Sequence, residues 1–391
     1  MKNNKGFNLI SVIIIICATS IISAITAGVI VTNNYGLSYK ALSSDSELTD
    51  FLKAYSNIVN NYYEDIDKEK MLDTALDAML NYLGDNYTTY LNSQQSKDLE
   101  ERLAGSYEGI GISIQGQEIK SIASGSPAEK AGLQVGDIFV KINDTDVSEK
   151  TSNEISSLIK NSKDKTVNII VKRGEEELSF TVKIDTIPTS AIAYELKDNN
   201  IGYLRISIFS RTLTSQVEDA LKNLKDQGME RLVIDLRDNT GGYLDSAETT
   251  ASLFLEKGKL IYSLQDKKSE EKHYDETNDK TDFPIVVIIN GNTASAAEIL
   301  AAALKDSYKA TLVGETSYGK GKVQQTYDLS DGSKAKYTSA KWLRPNGECI
   351  DTIGITPDYE AKLTYEYDEN GNETAVIDTQ LNKALEVIMS L

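Results

Sequence analysis

Three kinds of hydrophobic pattern follow one another along the chain. From Phe7 to Thr32 the residues are uncharged and mostly apolar, a run long enough to cross a bilayer core of ~30 Å as one helix. After a short polar stretch, Phe51, Tyr55, Ile58, Val59 and Tyr62 fall at helical spacing, as do Leu72, Leu76, Met79, Leu80 and Leu83. Two amphipathic helices are predicted across 47–83, with Gly84, Asp85 and Asn86 ending the second and a third helix over 93–103. Their apolar stripes are expected to serve as core or as a dimer contact.

From Tyr107 the period shortens to two. Strands are predicted over 109–114, 119–122, 167–172 and 178–184, and a turn and strand over 136–143. Between them lie a short helix with Ser126 as cap, Pro127 in its first turn and Gly132 as stop, and a second helix over 152–161. This makes a compact unit of small-domain size. Beyond about Ile187 strands and helices alternate: strands at 201–206, 231–236, 284–290 and 311–314, helices at 215–227 and 294–305. Alternation of this kind implies a layered α/β core, and the uninterrupted β-branched run at 284–290 a central strand. Asp368-Glu369-Asn370-Gly371 reads as a hairpin turn, with its glycine at the wrong offset for a calcium loop.

Composition narrows the chemistry. A length of 391 residues suits two or three domains, and the formal charge of −18 argues against nucleic acid as a partner. The only cysteines are Cys17, inside the apolar run, and Cys349, so no disulfide framework is available. With His273 the sole histidine, and its neighbours Lys267, Lys268, Glu270, Glu271 and Lys272 suggesting an exposed loop, no histidine-rich metal site exists. Lys2 and Lys5 precede the apolar run, while Asp45, Glu47 and Asp50 follow it with only Lys40 among them. The positive-inside rule therefore predicts a cytoplasmic N-terminus and an extracytoplasmic remainder. The run exceeds the ~7–15 apolar residues of a signal peptide, which favours a retained anchor.

The segment with most chemical content is Val286 to Glu298. A buried strand enters a small-residue turn and passes directly into a helix, placing Ser295 where free N–H groups favour negative charge. A serine so placed suits a nucleophile, with the Ala296 N–H as an oxyanion donor. With histidine nearly absent its base is sought among lysines, His273 being the rival candidate. Lys320, flanked by Gly319 and Gly321, is the candidate; lowering a lysine pKa from about 10.4 to ~7–8 takes roughly 4 kcal/mol, which burial supplies. Gly314, Gly319 and Lys320 come close to a phosphate-binding loop, but Gly321 stands where Ser or Thr has to hold magnesium, so nucleotide binding is rejected.

Several ordered motifs point one way: Tyr62-Tyr63-Glu64-Asp65, Leu83-Gly84-Asp85-Asn86-Tyr87-Thr88-Thr89-Tyr90, Gly109-Ile110-Gly111, Ser126-Pro127-Ala128, Leu236-Arg237-Asp238-Asn239-Thr240-Gly241-Gly242, Ser295 with its neighbours, Gly319-Lys320-Gly321 and Gly354-Ile355-Thr356-Pro357-Asp358. After the anchor, nearly the whole chain resembles the C-terminal processing (tail-specific) peptidases. The resemblance implies an α/β multidomain protein: cytoplasmic residues 1–6, an anchor at 7–32, a linker and helical region at 33–103, a PDZ domain at 104–186 and a crotonase/ClpP-like peptidase core at 187–391. It implies Ser295 as nucleophile, Lys320 as general base and Gln324 as the group that positions the lysine. Either Gly241 or Gly242 joins Ala296 in the oxyanion hole, and Glu298 supports the nucleophile's turn. Gly109, Ile110 and Gly111 are to receive the carboxylate of an apolar protein tail added as a β-strand. No metal or cofactor is called for, and the N-terminal helices make a homodimer plausible. Relatives often carry Arg-Gly where this chain has Lys160-Asn161, which bears on any gating by the PDZ domain. The rival class, a silent anchored PDZ scaffold, is disfavoured by intact Ser295, Lys320 and Gln324.

Overall fold

The computed structural model describes residues 46–278, 280–367 and 373–391. The apolar run at 7–32, Cys17 and the turn at 368–371 lie outside the described residues; among those residues no helix is long and apolar enough to cross a membrane. The chain divides into a unit ending at Leu76 and a unit from Asp77 to Leu391. Helices α1 (Ser46–Asn61) and α2 (Lys68–Tyr82) form where the stripes predicted them, but none of their residues is buried within the chain. The core alternative for these stripes is therefore not realised in the isolated chain.

In the larger unit β1 (Thr89–Leu91) leads into α3 (Ser93–Ala104), whose Asn92 cap and Gln95 exchange hydrogen bonds in a capping box. The β-rich unit follows, with β2 (Ser106–Gly109), β3 (Ile112–Gln115), β4 (Glu118–Ile122), α4 (Pro127–Ala131), β5 (Ile138–Ile142), β6 (Thr145–Asp146), α5 (Ser152–Lys160), β7 (Thr166–Arg173), β8 (Glu176–Lys183) and β9 (Asp185–Pro188). Its sheet runs β3-β4-β5-β7-β8, and β2 pairs with β9 where the chain enters and leaves. Ile119, Phe139, Ile142, Ile155 and Ile169 fill its core. The single strand expected over 109–114 is broken at Ile110-Gly111. Gly111 has φ 81°, and a Cβ there would lie 2.4 Å from the Ser126 Cβ, so only glycine permits the turn.

The remaining part of the chain holds β10 (Ile192–Lys197), β11 (Ile201–Ile206), α6 (Leu213–Asp226), β12 (Arg231–Asp235), α7 (Leu244–Ser252), β13 (Leu260–Gln265), β14 (Glu270–Tyr274), β15 (Ile285–Ile289), α8 (Ala296–Ala303), β16 (Thr311–Gly314), β17 (Lys322–Asp328), β18 (Lys334–Leu343), β19 (Tyr359–Glu360), β20 (Thr364–Tyr367), β21 (Glu373–Ile377) and α9 (Thr379–Met389). Its main sheet runs β10-β11-β12-β15-β16-β19, parallel except for β10. Alternate residues serve opposite faces: Leu232, Ile234 and Val287 pack with α6, α7 and α8, while Val233, Val286 and Ile288 pack with Ala384, Val387 and Ile388 of α9. Burial on both faces explains the unbroken apolar run of β15. A second, antiparallel sheet, β1-β18-β13-β14 with β17 beside β18, was not predicted. It pairs Thr89 with Lys336 across almost 250 positions of sequence, a contact that local periodicity cannot register.

Candidate active site

Ser295 sits at the junction between β15 and α8 with φ 58° and ψ −120°. A positive φ is strained for a residue with a Cβ, and such strain persists only where the surroundings enforce it. Here Thr293 donates its hydroxyl to the Leu236 carbonyl (2.9 Å), the Ala294 N–H reaches the Asn239 carbonyl (2.9 Å), and the Ser295 N–H reaches Glu298 Oε2 (2.8 Å). The Ala296 N–H opens α8 and has no hydrogen-bond partner among the described residues. Gly241 lies against this turn so closely that a Cβ on it would be 2.9 Å from the Ser295 Cβ and 3.0 Å from the Ala296 nitrogen. The two glycines differ: the Gly241 N–H donates to Asn239 Oδ1 (2.9 Å), whereas the Gly242 N–H has no partner among the described residues.

Lys320 lies in the loop between β16 and β17. Its flanking glycines do not wrap the ammonium; they let the loop press on the 351–354 turn, where a Cβ at Gly321 would be 2.6 Å from the Asp351 nitrogen. One buried carboxylate joins this loop to the serine turn. Glu298 accepts the N–H groups of Ser295 (2.8 Å), Gly319 (2.7 Å) and Lys320 (2.9 Å) and the Ser317 hydroxyl. Burial pushes the Glu298 carboxyl up from its ordinary value, and the four donors pull against that rise.

The Lys320 side chain passes over the Tyr87 ring, its Nζ 5.1 Å from the centroid. Burial, reinforced by the charge on Lys336, lowers its pKa from 10.5 to about 8, against the attraction of Glu298 and Asp85. Tyr87 belongs to the Gly84–Tyr90 motif, whose structural role the sequence did not reveal. Asp85, two residues before it, accepts hydrogen bonds from Thr88 and Thr338 and pairs with Lys322 at 3.2 Å. Burial alone would raise the Asp85 carboxyl, but those partners hold it at about 2. The motif thus pins a wall of the lysine site to β18.

Ser295, Ala296, Gly241, Gly242, Lys320 and Gln324 line one cleft of about 1110 Å³. Gln324 lines it, yet its amide donates to Thr338 Oγ1 at 3.4 Å, and among the described residues no hydrogen bond joins it to Lys320. Among the described residues no hydrogen bond joins Ser295 Oγ to Lys320 Nζ. Gly109, Ile110 and Gly111 lie outside this cleft, in the β-rich unit. There the Ile110 and Gly111 carbonyls accept from Ala128 and Ala123, and their own N–H groups stay unpaired among the described residues. Lys160 pairs with Glu101 of α3 at 2.6 Å, and α3 forms part of the cleft wall. His273 is not in an exposed loop. It lies on β14, stacks on Tyr262 with centroids 4.3 Å apart, sets Nδ1 3.0 Å from Glu248, and is not among the residues that line the cleft. The charged run around it marked an edge strand with one inward-facing side chain.

Comparison with known proteins agrees with the geometry. The profile of peptidase family S41 matches residues 200–361, that of the PDZ domain residues 118–173, and that of the activating protease CtpB N-terminal domain residues 29–95. The carboxy-terminal processing protease CtpA of Bacillus subtilis is 38% identical over 356 residues, covering 89% of this chain and 76% of the relative. A probable CtpA-like serine protease of Staphylococcus epidermidis is 33% identical over 364 residues, covering 90% and 73%. Among solved structures, the photosystem II D1 C-terminal processing protease is 26% identical, with a TM-score of 0.46 over 81% of this chain and 94% of that one. The 38% identity to the Bacillus subtilis protease, sustained over 89% of this chain and 76% of that one, establishes that the chain belongs to peptidase family S41, as a C-terminal processing serine protease.

Proposed function

We propose that Ser295 is the nucleophile and Lys320 the general base of this protease, acting on the accessible C-terminal tails of proteins. The observation that carries the assignment is the Glu298 carboxylate, which binds the N–H groups of both residues and so fixes the two segments in one frame. With a pKa of about 8, about a quarter of Lys320 is neutral near pH 7.5, against about one part in a thousand for a solvated lysine. Neutral Nζ takes the hydroxyl proton as Ser295 Oγ attacks the peptide carbonyl. The lysine then returns the proton to the leaving amine, and water attacks the acyl-enzyme with Lys320 as base again. Catalytic hydrogen bonds are often long without substrate and tighten in the reacting complex. In our reading the oxyanion is held by the N–H groups of Ala296 and Gly242, since that of Gly241 is committed to Asn239. Gln324 turns from Thr338 to orient Lys320 in the reacting complex.

The unpaired N–H groups of Ile110 and Gly111 support this loop as the acceptor of a substrate's terminal carboxylate. The apolar run at 7–32 and its flanking charges support a single-pass anchor with the catalytic part outside the cytoplasm. Exposed Phe51, Leu52, Ile58 and Met79 support a homodimer through the N-terminal helices. Ser295→Ala and Lys320→Ala proteins are each expected to stay folded and lose cleavage of a tailed substrate; turnover by either at the parent rate would reject the dyad.

A further inference from the structure

The cleft that holds Ser295 also holds basic residues that the proposed chemistry leaves unused, and they differ in their partners. Lys322 is paired with Asp85 and Asp351, and Lys334 with Glu100 and Asp328. Arg211 lies over the Tyr243 ring, 4.6 Å from its centroid. Lys336 and Arg102 stand apart: neither makes an ion pair or a side-chain hydrogen bond among the described residues. Lys336 lies on β18, in the same row as Lys334 and Thr338, which are both partnered, and opposite Thr89 of β1. Arg102 comes from the last turn of α3, and both residues line the cleft.

This arrangement is unfavourable as it stands. Lys336 is half-buried, burial together with the nearby Arg102 charge lowers its pKa, and Lys336 in turn acts on Lys320. Glu100, Asp245, Asp266, Glu271 and Asp328 line the same cleft, yet none of them forms an ion pair with Lys336 or Arg102 among the described residues. Two cations lining one cleft, both without an ion-pair partner among the described residues and one of them partly desolvated, form a site for an incoming anion.

Building on the serine-protease reading above, we propose that Lys336 and Arg102 form a carboxylate-binding subsite of the cleavage cleft, which engages a carboxylate of the bound polypeptide. The carboxylate is either the tail's terminal group or an Asp or Glu side chain near the scissile bond. Recognition here is separate from the Gly109–Gly111 loop and selects which acidic tails settle into the cleft.

The test measures binding to full-length Ser295→Ala protein, so its outcome does not depend on turnover. Labelled tail peptides carry one Glu moved position by position, with Gln counterparts, each with a free or an amidated C-terminus. At one position Glu is expected to bind about tenfold more tightly than Gln, as a charge-assisted contact does. Lys336→Met and Arg102→Met should each abolish that preference, while Lys336→Arg keeps it. If amidation removes the preference instead, and only where Lys336 is intact, the ligand is the terminal carboxylate. A loss on amidation that is equal in Lys336→Met protein belongs to the loop at 109–111. A Glu/Gln and free/amide preference unchanged in both methionine variants overturns the subsite. Parallel turnover by the Ser295-containing protein is scored separately: no cleavage despite the binding preference counts against the dyad and leaves the subsite standing.

Discussion

Replacing Lys320 by methionine is expected to stabilise the protein while abolishing its activity. The folded chain holds this amine at about 8 rather than 10.5, chiefly through burial. Each tenfold change in proton affinity is worth about 1.4 kcal/mol, so below about pH 8 the charged lysine burdens the fold by about 3 kcal/mol. Methionine keeps an unbranched stem over Tyr87 and removes the charge. The sign can be followed with pH. Between about 8 and 10.5 the unfolded lysine binds more protons than the folded one, so the lysine-containing protein gains stability across that window and the methionine variant does not. Urea unfolding in a Ser295→Ala background, which prevents self-digestion, should give a variant more stable by about 3 kcal/mol near pH 6.5. The difference should fade by about pH 10.5. A methionine variant equal to or weaker than its parent at the lower pH, with no convergence on raising it, would refute a desolvated lysine and with it the proposed base. A solvated loop lysine predicts a change within about 0.5 kcal/mol.

Cleavage of a neutral peptide should increase with pH through a midpoint of about 8, since only neutral Lys320 serves as base; Lys336→Met should move the midpoint upward by removing a charge that depresses it. A flat profile across that range would contradict this. Glu298→Gln is expected to lower kcat by about 100-fold, because whichever way the amide lies its NH2 faces at least one N–H donor that the carboxylate accepted, and misplacement of ~1 Å has that effect on rate. The same variant should unfold about 2 kcal/mol more easily; parent-like rate and stability together would remove Glu298 from its positioning role. Gly241→Ala should abolish turnover while leaving the β-rich unit intact, since φ 99° and the 2.9 Å approach to the Ser295 Cβ exclude a methyl group. Peptide cleavage and tail binding, measured side by side, check this.

How much could be read in advance followed the range over which each cause acts. Adjacency in the chain was enough to put Ser295 at the start of a helix behind a buried strand, because Val286–Ile289 and the small residues after them are consecutive. It also delivered α1, α2, most strands of the β-rich sheet and the cap at Ser126, whose signals lie within a turn or two of the element they shape. Lys320 could be singled out for its glycines, but that they meet backbone at 351–354 could not be read from the sequence. The second sheet and α9 escaped notice because they depend on pairings between remote segments, such as Thr89 with Lys336 and Val286 with α9.

The sequence by itself determined which residues are candidates for the chemistry: a serine at a helix start, one lysine between glycines, an acid one turn into the helix, and a single histidine elsewhere. Only the tertiary structure decided their states. Lys320 loses affinity for its proton because Tyr87, more than two hundred residues upstream, covers it and Lys336 lies near it. Glu298 ties two loops that are neighbours in space alone, and Asn239 engages the amide of Gly241 while leaving that of Gly242 unpaired. Reactivity here depends on desolvation and on where each donor is already spent, and both are sums over neighbours that the fold assembles from distant parts of the chain.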